Sequence, residues 1–261
     1  MSSDSAGAPG CVKCGAALRA GALYCARCGN CISAMEQPSA GIEPAVPSLD
    51  RSQELRVVGW LYGLLLATSL AFGIAYFVSP TGDFLTWESL VAGIVIVAFA
   101  VHYRSEILAL LRPSTFDRRA LSTLAIAAAI QFTLLGAVFY LLVQTGIPFE
   151  RITDEIQRHH YSVWQLLVLC SLAPAVLEEI AFRGVIFERL SRVLGEREGW
   201  LVQAALFSVL HLSPVIFPTH FAMGLIFGWL RMRTGSLIPG MILHATWNAV
   251  IILLELRGVP I

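Results

Sequence analysis

Charge is scarce in this chain. Asp, Glu, Lys and Arg together make up 14% of its 261 residues, against about 25% in ordinary soluble domains. A water-soluble surface cannot be built from that inventory. An excess of one sign is also missing, with 18 basic residues against 18 acidic and no block of either. That leaves nothing to attract nucleic acid or another polyanion. Lysine is nearly absent, Lys13 being the one exception among the basic residues. The first forty residues hold no basic start followed by an apolar core and cleavage site, so no signal peptide is expected and the amino terminus should stay in the cytoplasm. Cysteine is not spread along the chain as a disulfide framework would need. Of the six, all but Cys170 fall within residues 11 to 31, a clustering that points to metal binding.

What the chain has instead is apolar sequence, 56% of it. Stretches close to the twenty or so residues that cross a bilayer run at 57–78, 88–103, 120–145, 162–187, 199–213, 217–233 and 236–256. The expected fold is therefore an all-α polytopic membrane protein of about seven transmembrane helices, preceded by a small zinc ribbon. Loop charge alternates along this series. Arg51 and Arg56, then Arg104, Arg112, Arg118 and Arg119, then Arg189, Arg192 and Arg197, then Arg231 and Arg233 mark one side. The intervening loops carry few or none. Under the positive-inside rule the amino terminus is inside and the carboxy terminus outside. The expected organisation is a ribbon at 1–34, a flexible Pro- and Ser-bearing linker at 35–55 and a membrane domain at 56–261, in the cell (inner) membrane.

The ribbon rests on Cys11-Val-Lys-Cys14 and Cys25-Ala-Arg-Cys28. Two such knuckles offer four thiolates to one tetrahedral Zn²⁺, and Gly15 and Gly29 permit the tight turn that aims the sulfurs inward. A structural zinc would fold a segment too small for a core of its own. Cys31 is surplus. The module could also bind a protein partner.

Ionisable residues inside spans are expensive in lipid, so each is a site candidate. Glu178, Glu179 and Arg183 lie in LLVLCSLAPAVLEEIAFRGVIF, where Pro174 removes a backbone donor and should kink the helix just ahead of them. Glu179 and Arg183 are four apart with the acid first, the favourable order for a helical ion pair. Glu178 points about 100° away, which gives Glu179 and Arg183 a supporting role and leaves the chemistry to Glu178. His211 ends an apolar run and, alone, reads as easily as a satisfied core histidine. His244 and Asn248 share a helix face and want a polar neighbour that Glu178 and His211 could supply. Measured from the expected cytoplasmic ends, Glu178, His211 and His244 lie roughly 15, 18 and 14 Å deep, at one level. His220 is expected at the outer interface, and His102, His159 and His160 at loops or helix ends.

These residues fall in three ordered motifs: EEIAFR at 178–183 fits EExxxR, FSVLH at 207–211 fits FxxxH, and HATWN at 244–248 fits HxxxN. Together, over about residues 160–255, they resemble the CAAX prenyl protease and bacteriocin-processing family, the CPBP intramembrane endopeptidases of abortive-infection type. The resemblance implies a hydrolase acting on a peptide or membrane-protein substrate near the cytoplasmic side. In it Glu178 and His211 activate a water, and His244 and Asn248 stabilise the oxyanion. It leaves open a catalytic divalent metal held by Glu178, His211 and His244, with Zn²⁺ lowering the pKa of bound water. The alternatives are a catalytically idle membrane scaffold that binds a partner through the ribbon, and a proton-relay transporter.

Overall fold

The computed structural model describes residues 10, 11, 15, 50–79, 83–111, 118–145 and 160–258. The chain divides into two compact units, Met1–Leu49 and Asp50–Ile261. In the first, Gly15 takes a φ of +69° and donates its N–H to the carbonyl of Cys11 at 2.7 Å. This is the turn expected behind the first knuckle, and Cys11 is buried. Cys14, Cys25, Cys28 and Cys31 lie outside the described residues, and with them the zinc ribbon.

Among its described residues, every regular element of the second unit is a helix. Asp50 caps α1 (Arg51–Val78) by accepting the N–H groups of Ser52 and Gln53, satisfying donors that a helix start leaves open. Helix formation thus begins inside the segment expected to be linker. Asp83 caps α2 (Phe84–His102) in the same way. Then follow α3 (Arg104–Leu110), α4 (Arg118–Thr145), α5 (Val163–Leu194), α6 (Glu196–Leu210), α7 (Phe217–Thr234) and α8 (Ile238–Leu256). A capping box between Ser162 and Gln165 opens α5. Gly235, at φ +69°, closes α7 in the left-handed conformation that glycine adopts most easily.

Among the described residues, five helices are long and apolar enough to cross a membrane: α1, α2, α4 from Ala120, α5 and α8. The fifth and sixth apolar stretches form α6 and α7, which are not among the five. α6 has 15 residues and opens on Glu196, Arg197 and Glu198, and α7 ends on Arg231 and Arg233. Large apolar side chains face outward along the unit. Phe77 is 90% exposed and Trp164 77%, a surface that only lipid or another apolar phase would cover.

The interior is built where α1, α2 and α4 to α8 meet. Leu61, Leu65, Phe182, Ile186, Phe207, Phe227 and Trp247 are all buried there. Close helix approach depends on glycine. A Cβ on Gly224 of α7 would sit 2.8 Å from Cα of Ala204 in α6. Trp200 and Gln203 of α6 then donate to the carbonyls of Leu225 and Gly224 at 2.8 and 2.9 Å.

The helix ends sort by charge. At one end of the unit Arg189 is shared by Glu54 and Glu106 at 3.3 and 2.8 Å, and Arg192 by Glu54, Glu106 and Glu188 at 3.4, 2.9 and 3.3 Å. Arg231 reaches Glu188 at 3.3 Å. The arginine-bearing end of α5 therefore meets the start of α1 and helix α3, and that of α7 meets α5. Glu106, on α3, shows the balance of forces: burial alone would raise its carboxyl, but the hydrogen bond from Arg189 and the charges of Arg189 and Arg192 hold it below its ordinary value. Elsewhere, the Tyr161 hydroxyl donates to Asp83 and lies 2.8 Å from the Thr86 hydroxyl, joining the starts of α5 and α2.

Candidate active site

Helix α5 carries the paired glutamates, and it is not a plain α-helix. Two stretches, Leu167–Leu172 and Glu179–Ile186, are π-helical, the wider winding that often accompanies functional positions. Pro174 supplies a cause for the first. A proline at 174 lacks the N–H that would bond the carbonyl four residues back, that of Cys170. It is this carbonyl that Nδ2 of Asn248 donates to, at 3.0 Å. One helical turn away on α8, the carbonyl of Ala245 accepts the Ser171 hydroxyl at 2.8 Å. Both hydrogen bonds tie the π-helical stretch ahead of Pro174 to α8.

The two carboxylates part as their helical spacing requires. Glu179 turns inward, 1% exposed, and forms an ion pair with the fully buried Arg183 at 2.9 Å. The Arg183 guanidinium lies 4.4 Å from the Phe207 ring centre and 5.2 Å from that of Phe227, so aromatic faces take the charge that no water reaches. Gly240 of α8 makes room for this pair, since a Cβ there would fall 2.8 Å from Oε2 of Glu179.

Glu178 keeps a quarter of its side chain open. Its Oε2 is buried without a hydrogen-bond partner and lies 3.9 Å from Nε2 of His244. The other ring nitrogen of His244, Nδ1, is 3.5 Å from Oε1 of Glu179. The imidazole thus stands between two carboxylates, one already matched by Arg183 and one not. Phe227 stacks on it at 5.0 Å and 24°, fixing the ring plane.

His211 closes α6. Its Nδ1 is 2.9 Å from the Phe207 carbonyl, and the next residue, Leu212, takes a φ of +51°. A left-handed backbone at a branched, non-glycine residue stores strain of about 1–2 kcal/mol. Phe207 links the histidines: its ring centre is 5.0 Å from His211, 6.1 Å from His220 and 6.2 Å from His244.

The structure thus brings Glu178, Glu179, Arg183 and His244 into direct contact. It places His211 beside them across Phe207, and turns the amide nitrogen of Asn248 to the backbone of α5. The donors Glu178, His211 and His244 do not converge on a metal position, and among the described residues no group of three His, Cys, Asp or Glu side chains does. Two participants escaped the sequence reading. His220, expected at the interface, packs its ring 3.9 Å from that of His211; its nine-residue separation from His211 gives no helical or strand signal. Ser171 is silent because a lone serine in an apolar helix most often bonds its own backbone.

Comparison with known proteins places this geometry. Residues 160–250 match the family model described as Type II CAAX prenyl endopeptidase Rce1-like. Among curated proteins, the "Putative membrane peptidase YdiL" of Bacillus subtilis (strain 168) is 26% identical over 127 residues, 48% of this chain and 50% of that protein. The chain therefore spans about half the length of the curated relative it matches. No solved structure matches the chain. The segment that is similar to the Rce1-like endopeptidases contains Glu178, His211, His244 and Asn248; in it Glu178 faces His244, and His211 and His244 flank Phe207.

Proposed function

We propose that this chain is an intramembrane endopeptidase that hydrolyses a peptide bond in a peptide or membrane-protein substrate near the cytoplasmic side of the cell membrane. The observation that carries the reading is the Glu178 carboxylate: partly open, with one buried oxygen lacking any hydrogen-bond partner and facing His244 at 3.9 Å. Glu179 beside it is by contrast matched by Arg183 at 2.9 Å, and a buried polar atom left unpaired calls for a partner.

In this reading Glu178 takes a proton from a water, whose oxygen adds to the scissile carbonyl. His211, with Nε2 free, assists that activation. The oxyanion is met by His244 and by the second N–H of the Asn248 amide, the first being held by Cys170. As the C–N bond breaks, the proton held by Glu178 passes to the leaving amine.

The unit would sit with the arginine-rich ends of α5 and α7 in the cytoplasm, where positive charge is favoured. α6 and α7 would complete a bundle of about seven membrane-embedded helices. The amino-terminal cysteines would form a cytoplasmic ribbon around one structural Zn²⁺ and offer a surface to a protein partner.

Cleavage of a quenched peptide library by the purified protein in detergent, wild type beside Glu178→Ala, tests the reading. We expect turnover by the wild type and loss of at least about 10²-fold in the variant. Equal cleavage by both would remove Glu178 from the chemistry. No cleavage by the wild type across the library would favour a scaffold that binds its partner through the ribbon.

A further inference from the structure

We propose that His220 is a positioning residue for His211, holding its imidazole in one orientation and one tautomer so that Nε2 is the nitrogen offered to the reacting water. The catalytic consequence rests on the peptidase reading; the positioning itself does not.

The two rings come from different helices, His211 from the last turn of α6 and His220 from the first turn of α7, and lie 3.9 Å apart at 44°. Each is anchored alike. Nδ1 of His211 is 2.9 Å from the Phe207 carbonyl, and Nδ1 of His220 is 3.0 Å from the Ile216 carbonyl. A carbonyl only accepts, so in each neutral ring Nδ1 carries the hydrogen and Nε2 carries the lone pair.

That arrangement needs an outside constraint at His211. The ring hangs on a strained turn, with Leu212 at φ +51°, and its position leaves it partly accessible. A single hydrogen bond to its own helix would not prevent the ring from turning about χ2 and exchanging its nitrogens. Phe207 covers one side of it at 5.0 Å and His220 another. His220 is itself fixed from two directions. Its Nδ1 is 3.3 Å from the Thr219 hydroxyl, and that hydroxyl donates to the Ile216 carbonyl at 2.7 Å. Phe207 lies tilted against it, at 6.1 Å and 32°. The ring of His220 is thus a wall, built from buried Thr219 and the start of α7, against which His211 is seated.

The test uses protein labelled with ¹⁵N-histidine in lipid nanodiscs, with the imidazole nitrogen shifts of His211 read alongside kcat and KM for peptide cleavage. The wild type should show one tautomer, protonated at Nδ1. His220→Leu, which removes the flat ring, should give a mixture of tautomers and lower kcat by about 10- to 100-fold, as misplacement of a reacting group does, with KM changed less than about twofold. His220→Phe, which restores a planar ring, should return His211 to one tautomer and recover most of kcat. A single Nδ1–H tautomer at His211 in His220→Leu would overturn the proposal, as would a Phe variant no better than Leu. A tautomer change at His211 in His220→Leu, together with no peptide cleavage by the wild type, would support the positioning and defeat the peptidase reading.

Discussion

Glu178 and Glu179 are neighbours in sequence with opposite fates, and the difference is a matter of who reaches them. Glu179 is matched by a buried guanidinium at 2.9 Å. Removing one member of a buried pair strands the other charge and costs about 3–5 kcal/mol. Glu179→Ala should therefore lower the unfolding temperature in detergent markedly, whereas Glu178→Ala should unfold close to the wild type and be inactive. A stable but inactive Glu179→Ala beside a fully active Glu178→Ala would exchange their roles. Leu212 offers a second prediction at this scale. Glycine would relieve a φ of +51° at a side chain that is 43% exposed, so Leu212→Gly should leave stability unchanged or raise it by about 1 kcal/mol. The looser turn should still slow turnover, because it carries His211. A substantial drop in stability would show that the turn is not strained.

Between elements, the contact of α5 with α8 decides where the site residues stand. Asn248 to the Cys170 carbonyl and Ser171 to the Ala245 carbonyl are two ties across one interface. Hydrogen bonds between helices in membranes contribute about 1 kcal/mol each, so they set register more than stability. Gly240 belongs to the same interface. Gly240→Ala would push a methyl to 2.8 Å from a carboxylate oxygen that Arg183 holds in place. Activity should fall and stability drop by about 1–3 kcal/mol, the usual range for overpacking. Unchanged unfolding and turnover in Gly240→Ala would mean that α8 can shift freely against α5. The EExxxR and HxxxN spacings were legible here as helix-face patterns. The join between α5 and α8 was not, because both of its hydrogen bonds end on backbone carbonyls, and backbone groups leave no mark in a side-chain pattern.

The whole unit is clasped at its arginine-rich end, where Glu54, Glu106 and Glu188 meet Arg189, Arg192 and Arg231. Glu106 is held below its ordinary value of 4.5 in the folded state. Its stabilising contribution is therefore complete above that value and is lost as pH falls through the lower, folded one. Thermal unfolding followed from pH 7 into the acid range should show wild type and Glu106→Gln converging below about pH 4.5. A gap that stays constant across the range would leave Glu106 without a role in acid sensitivity. In the amino-terminal unit, metal analysis should find one zinc per chain, released by strong chelators and absent in Cys25→Ser. Zinc retained by that variant would defeat the four-cysteine ribbon.

Composition and period alone determined that the chain is helical and apolar, that Glu179 pairs with Arg183, and that Glu178, His244 and Asn248 are worth attention. These follow from local geometry, since a helix repeat fixes which neighbours share a face whatever surrounds it. Of the seven apolar stretches, five stand among the described residues as helices long and apolar enough to cross a membrane. The tertiary structure alone decided that His244 stands between two carboxylates, that Asn248 turns to the backbone of α5, and that the ring of His220 packs against that of His211. Each of those contacts joins residues from separate helices, and their meeting depends on glycine-permitted approach and on π-turns whose positions no side-chain period encodes.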